Sequence, residues 1–277
     1  MTSIQRNRFV RQIMSEVNEA DPYVAVRSLV GKYRCSGETL EKVAEKLGVR
    51  RITVEPMRVD GGVYDGTSGL QIKLNSSSPL KRRRFTLAHE VAHLILASGG
   101  SRDAHRSHVS TDLERACDVV AAELLMPLDE VRPFVPRDGS VDALLALGDR
   151  FGVSLHAAAV RICELGFWNN SVGFWKWDGH AHELWFVGRR PWPERTLYLD
   201  AFARAMTEGG TIATSELIQE PDREAFHVSV NVRRLGRDFL IAVLHEPGRS
   251  NPTRGRRSVA AAAQASRTDG GRQESLE

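Results

Sequence analysis

The chain predicts an α+β protein: a small sheet beside two motif-bearing helices, a helix-turn-helix-like segment, then a separate, smaller α+β domain. Three observations carry this reading. Residues 85–97 are apolar or small at nearly every position, interrupted by His89, Glu90 and His93. Residues 111–127 place Leu113, Ala116, Val120, Ala121 and Leu124 at a helical period and stop at Pro127. From Ser171 onward, short runs separated by glycine turns replace the helical pattern.

In chain order, residues 1–35 read as an N-terminal helical extension and 36–135 as the domain holding both motif helices. Within it, 39–48 carry Leu40, Val43, Ala44 and Leu47 on one helical face, closed by Gly48. Residues 51–54 and 69–74 alternate as strands, with 60–62 and 65–66 expected as turns. The edge of such a sheet can bind an extended peptide by strand addition. Tyr64, expected in the connecting loop, is a candidate oxyanion donor, with a packing or turn role favoured.

Residues 136–170 form the helix-turn-helix-like segment. A helix over 141–151, the turn Gly152-Val153-Ser154 and a Ser-capped helix over 155–165 supply the pattern. On a DNA-binding second helix, His156 and Arg161 would be exposed. That helix is mostly Ala, Val, Ile and Leu, with few side chains able to read base edges, so packing or protein docking is favoured over direct DNA binding.

Residues 171–247 are the C-terminal α+β domain. Strands over 172–177 and 182–187 flank the hairpin signal Asp178-Gly179. A strand over 196–199, a helix over 200–208 and a second hairpin, 226–232 with 239–245 around Gly236, complete it. Trp168, Trp175, Trp177, Trp185 and Trp192 gather here; a ligand pocket is one use for them, core filling the commoner one. Residues 248–277 are rich in Gly, Ser, Arg and Ala without a period and are expected to be disordered.

The chemistry concentrates in His89-Glu90-Val91-Ala92-His93. On a helix, positions i and i+4 share a face, so both imidazoles can address one ion. Glu90 lies about 100° round the same turn, where it reaches a water on that ion more readily than the ion itself. Two histidines with a base-competent carboxylate is the zinc-hydrolase arrangement. Two imidazoles and a carboxylate on an otherwise apolar helix need partners, because unpaired buried polar groups are costly. A metal supplies one.

Glu114 and Asp118 form a second i, i+4 pair, on the helix over 111–127. The spacing allows Glu114 to complete a His–His–Glu site and Asp118 to accept the outer N–H of a ligating histidine. Thr111-x-x-Glu114 is also a capping box, which on local sequence alone is the commoner job for that glutamate. Cys117 can compete as a soft ligand, but it lies toward the apolar face and reads as a small core filler. His105 and His108, in the loop 99–110, are candidate substrate contacts, with a solvated role favoured.

Together, R-x-F-T-L-A-H-E-x-x-H over 83–93 and E-x-x-x-D-x-x-A-A-x-L-L-M-P over 114–127 resemble the ImmA/IrrE family of metallopeptidases. The resemblance covers roughly residues 36–165. It implies a gluzincin-like site with one zinc, ligands His89, His93 and Glu114, and Glu90 as general base and acid. It also implies a regulatory endopeptidase whose partner is a helix-turn-helix repressor, cleaved to derepress stress-response or mobile-element genes. A sensor-like role for the C-terminal domain follows from the same likeness. One departure stands out: Ala116-Cys117 replaces the second Glu and the Ala that commonly precede the Asn/Asp.

With 277 residues and 42% hydrophobic content, the chain can bury one or two cores. Residues 1–22 lack the apolar region of a secretory signal, and no run reaches a membrane span, so no membrane partner is expected. Three widely spaced cysteines, Cys35, Cys117 and Cys163, read as reduced thiols in the cytoplasm. A net charge of +3 is too small to imply nucleic-acid binding. The run Lys81-Arg-Arg-Arg84 reads as a solvated loop before the H-E-x-x-H helix, or as a dock for an acidic substrate. Two function classes remain: a zinc endopeptidase, or a regulator acting by binding, with structural zinc. An intact Glu90 favours the enzyme, since a structural site has no use for a base.

Overall fold

The computed structural model describes residues 10–13, 24–67, 69–97, 111–136, 139–168, 170–188, 196–220 and 223–246. His105, His108, Trp192 and the segment 248–277 lie outside the described residues. Two compact units account for the chain: one runs up to Phe134 and includes Gly148–Ala157, the other comprises Val135–Leu147 and the chain from Ala158 onward. Both units mix helix and strand, and each has its own sheet.

The first unit opens with α1 (Val24–Val30) and α2 (Leu40–Lys46). Thr39 caps α2 in extended conformation, its side chain accepting from the Lys42 N–H. Gly48 follows at φ 92°, the left-handed region that suits glycine after a helix. Strands β1 (Val49–Glu55), β2 (Gly61–Gly66) and β3 (Gly69–Asn75) form a sheet in the order β1-β3-β2. β1 runs parallel to β3, and β2 antiparallel.

β2 corrects the sequence reading, which made turns of its glycines and a loop residue of Tyr64. A Cβ on Gly61 would stand 2.5 Å from Thr86 Cγ2 and 2.9 Å from the Lys73 carbonyl oxygen. Glycine therefore lets this edge strand approach the next helix closely, a demand that local sequence cannot reveal. Tyr64 pairs across the ladder with Gln71 and is exposed, with Lys73 Nζ 5.4 Å from its ring centroid.

Helix α3 (Leu80–Ala97) begins earlier than expected, since the Arg83 N–H already bonds back to the Pro79 carbonyl. The basic run 81–84 is thus the first turn of the helix, not a loop. Lys81 Nζ lies 2.9 Å from Asp149 Oδ1, and Arg82 donates through Nε and Nη2 to Asp60 Oδ2. Helix α4 (Thr111–Leu125) packs along α3. Val91, Ala92, Ile95 and Leu96 of α3 and Ala116, Val120, Ala121 and Leu124 of α4 are all buried. After Pro127, α5 (Leu128–Val131) and a 3-10 turn (Arg132–Phe134) close the stretch, with Glu123 Oε1 accepting from the Leu128 N–H.

Helices α6 (Val141–Phe151) and α7 (Leu155–Glu164) meet at 106° across a turn where Gly152 has φ 60°. Ser154 Oγ accepts from the Ala157 N–H and starts α7. Arg161 is only 1% exposed and His156 is half-buried, so neither has the exposure that a DNA-reading second helix would require.

The second unit holds an antiparallel sheet of order β6-β5-β4-β9-β8-β7. Its strands are β4 (Ser171–Trp177), β5 (Ala181–Val187), β6 (Thr196–Leu197), β7 (Thr211–Glu220), β8 (Arg223–Arg234) and β9 (Phe239–His245), with α8 (Asp200–Glu208) between β6 and β7. Trp175, Phe202, Ala205, Val230, Leu240 and Ala242 share one core. Trp168 and Trp175 are buried, as core fillers are. Asn231 Oδ1 accepts from the Val141 N–H, and Asp142 accepts from Thr211 and Arg233, tying the start of α6 to β7 and β8. β7 was missed because its faces, Ile212-Thr214-Glu216-Ile218 and Thr211-Ala213-Ser215-Leu217, both mix polar with apolar residues. Among the described residues, no single helix is long and apolar enough to cross a membrane.

Candidate metal centre

Two helices build the centre. Spacing on α3 puts His89 and His93 on one face, their rings 4.8 Å apart and edge-on. Glu114 comes from the first turn of α4, which packs on α3. The two Nε2 atoms are 3.1 Å apart. Glu114 Oε2 stands 3.3 Å from His89 Nε2, and Oε1 stands 3.3 Å from His93 Nε2. Both carboxylate oxygens therefore face imidazoles.

Among the described residues, these three are the one grouping of His, Cys, Asp or Glu that could hold a metal ion, with ligand atoms all within 4.8 Å. The donors fit an ion. Two ligand atoms at about 2.0–2.1 Å from a tetrahedral centre stand about 3.4 Å apart, close to the 3.1 and 3.3 Å separations here. All three side chains are partly buried, at 17% to 20% exposure.

The outer nitrogens are held as well. His89 Nδ1 lies 2.8 Å from Asp118 Oδ1, and His93 Nδ1 lies 3.4 Å from Cys117 Sγ. With Nδ1–H donating outward, each Nε2 lone pair is left for the ion. One turn of α4 thus delivers Glu114, Cys117 and Asp118 to both histidines. Cys117 is fully buried in the core, as a small filler would be, and its sulfur also lies against His93.

The electrostatics of the cluster follow from the same contacts. Burial disfavours the His89 imidazolium, yet hydrogen bonds to Asp118 and Glu114 outweigh it and hold its pKa up at about 10. His89 and then His93 hold the Glu114 carboxyl well below the usual carboxylate range, against its burial. Burial, reinforced by the charges of Glu114, Asp118 and Glu90, pushes the Cys117 thiol well above its ordinary value, so it is a neutral thiol. Glu90 is half-buried, next to His89 in sequence, and its charge acts on both His89 and Cys117.

A His–His–Glu triangle on two packed helices is a candidate metal-binding centre. Residues 44–163 match the family described as an IrrE N-terminal-like domain, in line with the resemblance of this part of the chain to ImmA/IrrE metallopeptidases. The chain is 34% identical over 120 residues to the radiation response metalloprotease IrrE of Deinococcus deserti, covering 41% of this chain and 42% of that protein. It is 33% identical over 116 residues to the same-named protein of Deinococcus radiodurans, covering 39% and 35%. The chain thus spans less than half the length of the curated relatives it matches. A solved transcriptional regulator of Mycobacterium tuberculosis superimposes with a TM-score of 0.49 at 16% identity, covering 86% of this chain and 80% of that one. That likeness is too loose to carry an inference.

Proposed function

We propose that this chain is a zinc-dependent endopeptidase of regulatory type, acting in the cytoplasm on a helix-turn-helix transcriptional repressor. The observation that carries the proposal is the convergence of His89 Nε2, His93 Nε2 and Glu114 on one point, with Glu90 next to His89 in sequence and its charge felt there. In this reading His89, His93 and Glu114 hold the ion, Glu90 is the base, and Asp118 orients His89. Two imidazoles, one carboxylate and an open fourth position are a catalytic zinc set. When bound, zinc supplies Lewis acidity and lowers the pKa of a coordinated water.

Glu90 accepts the proton of the attacking water and returns it to the leaving amine, as a carboxylate within reach of both can do. Asp118 keeps the His89 Nδ1–H fixed, so that Nε2 stays turned to the ion. β2 and β1 are the sheet's edge strands, and either can accept an extended peptide by strand addition. The cytoplasmic assignment rests on three free cysteines, one of them, Cys35, exposed. The repressor substrate rests on the family resemblance.

Co-expression with the helix-turn-helix repressor encoded nearest the gene tests the reading. The wild type should shorten the repressor, and His89→Ala should leave it intact. Derepression by both forms without a shortened product would instead establish action by binding.

A further inference from the structure

The two histidines of the centre are held by unlike partners. His89 Nδ1 faces a carboxylate oxygen of Asp118 at 2.8 Å, whereas His93 Nδ1 faces the sulfur of Cys117 at 3.4 Å. Cys117 is completely buried, one helical turn on from Glu114 and adjacent to Asp118. Its neighbours on α4, Ala116, Val120 and Ala121, are buried too, so the thiol enters the site from the packed interface and not from solvent.

We propose that Cys117 is a positioning residue for His93: its sulfur accepts the Nδ1–H and fixes the tautomer that leaves Nε2 free for the metal. The inference rests on the metal-site reading above. It goes beyond that reading because it gives the buried thiol a role in the centre without making it a ligand. The grouping that could hold an ion contains His89, His93 and Glu114, not Cys117. A thiol sulfur is a weak, neutral acceptor beside a carboxylate. His93 is therefore the less strongly polarised ligand and His89 the more strongly polarised one, an asymmetry built into consecutive residues of α4.

The role predicts a hierarchy of variants. Cys117→Ser keeps an acceptor at the position, whereas Cys117→Ala removes it. Cys117→Val also removes it with a side chain about one methylene larger than cysteine, so it leaves no cavity and stands in should the alanine variant fold poorly. Outer-shell partners of metal-ligating histidines are worth about 10- to 100-fold in metal affinity. The alanine and valine variants should fall within that range below the wild type, and the serine variant should recover most of the loss.

The experiment loads full-length protein with cobalt(II), measures affinity by competition with a chelator, and records the visible spectrum, with circular dichroism as a check on folding. The proposal expects weakened binding and an altered cobalt spectrum in the alanine and valine variants, restored by serine. Equal affinity and spectrum in wild type and valine variant would make Cys117 a core filler and overturn it. A thiolate-to-cobalt charge-transfer band in the wild type, lost in the serine variant, would overturn it the other way, making Cys117 a ligand. His89→Ala separates this from the parent reading. If the wild type binds no more cobalt than that variant, the metal site itself falls, and this inference with it.

Discussion

Asp118 Oδ1 lies 2.8 Å from His89 Nδ1, on the opposite side of the ring from the nitrogen that faces Glu114. A single imidazole thus bridges two carboxylates of α4 that are four residues apart. Glu114 meets the edge that can hold an ion, and Asp118 meets the edge that sets the tautomer.

The relationship predicts separable losses. Glu114→Ala should abolish stoichiometric zinc, while Asp118→Ala should weaken zinc by about 10- to 100-fold without abolishing it. Elemental analysis and chelator competition on the purified variants give both numbers. Full zinc affinity in Glu114→Ala would remove it from the ligand set.

Glu90→Gln should keep zinc and fold, because the amide preserves the shape and the residue is not counted among the ligands. It should lower cleavage by about 10²- to 10⁴-fold, the usual worth of a positioned general base. Single-turnover cleavage of the repressor, with zinc content measured alongside, is the check. Undiminished cleavage would take Glu90 out of the mechanism.

Gly61→Ala should destabilise the first unit by about 1–3 kcal/mol, the usual cost of overpacking. The added methyl would meet Thr86 Cγ2 and the Lys73 carbonyl. Thr86→Ser in the same chain removes the Cγ2 atom and should return part of the loss, as expected for a coupled pair. Urea unfolding of the two single variants and the double variant measures this coupling, and strict additivity would disprove the close approach.

Asp60 gives a pH signature. Burial raises its pKa, but the Arg82 guanidinium and the Ser78 hydroxyl outweigh it, so the folded value is lowered. A carboxyl with a depressed folded pKa adds stability that is present above its unfolded value, about 3.9. That increment is lost as the pH falls through the folded value. Asp60→Asn should flatten this part of the acid limb and cost at most about 1 kcal/mol at neutral pH, since solvent screens the pair. Denaturation across the acid range decides it: an unchanged slope means that the Asp60–Arg82 pair adds nothing.

What the amino-acid order determined by itself was whatever depends on spacing along one element. The i, i+4 rule set His89 above His93 and Glu114 in line with Asp118. Ser154 announced a helix start, and Asp178-Gly179 a hairpin, through hydrogen bonds and dihedrals local to a few residues. Only the tertiary structure decided what one element does to another. Gly61 belongs to a strand because a helix passes too close for a side chain, and Thr211–Glu220 is a strand because β8 pairs along its length. Arg161 is buried despite its charge, and Cys117 reaches His93 across a helix interface. The physical reason is common to all four. Each outcome is set by a neighbour far away in the chain, and no local propensity or period encodes the distance to it.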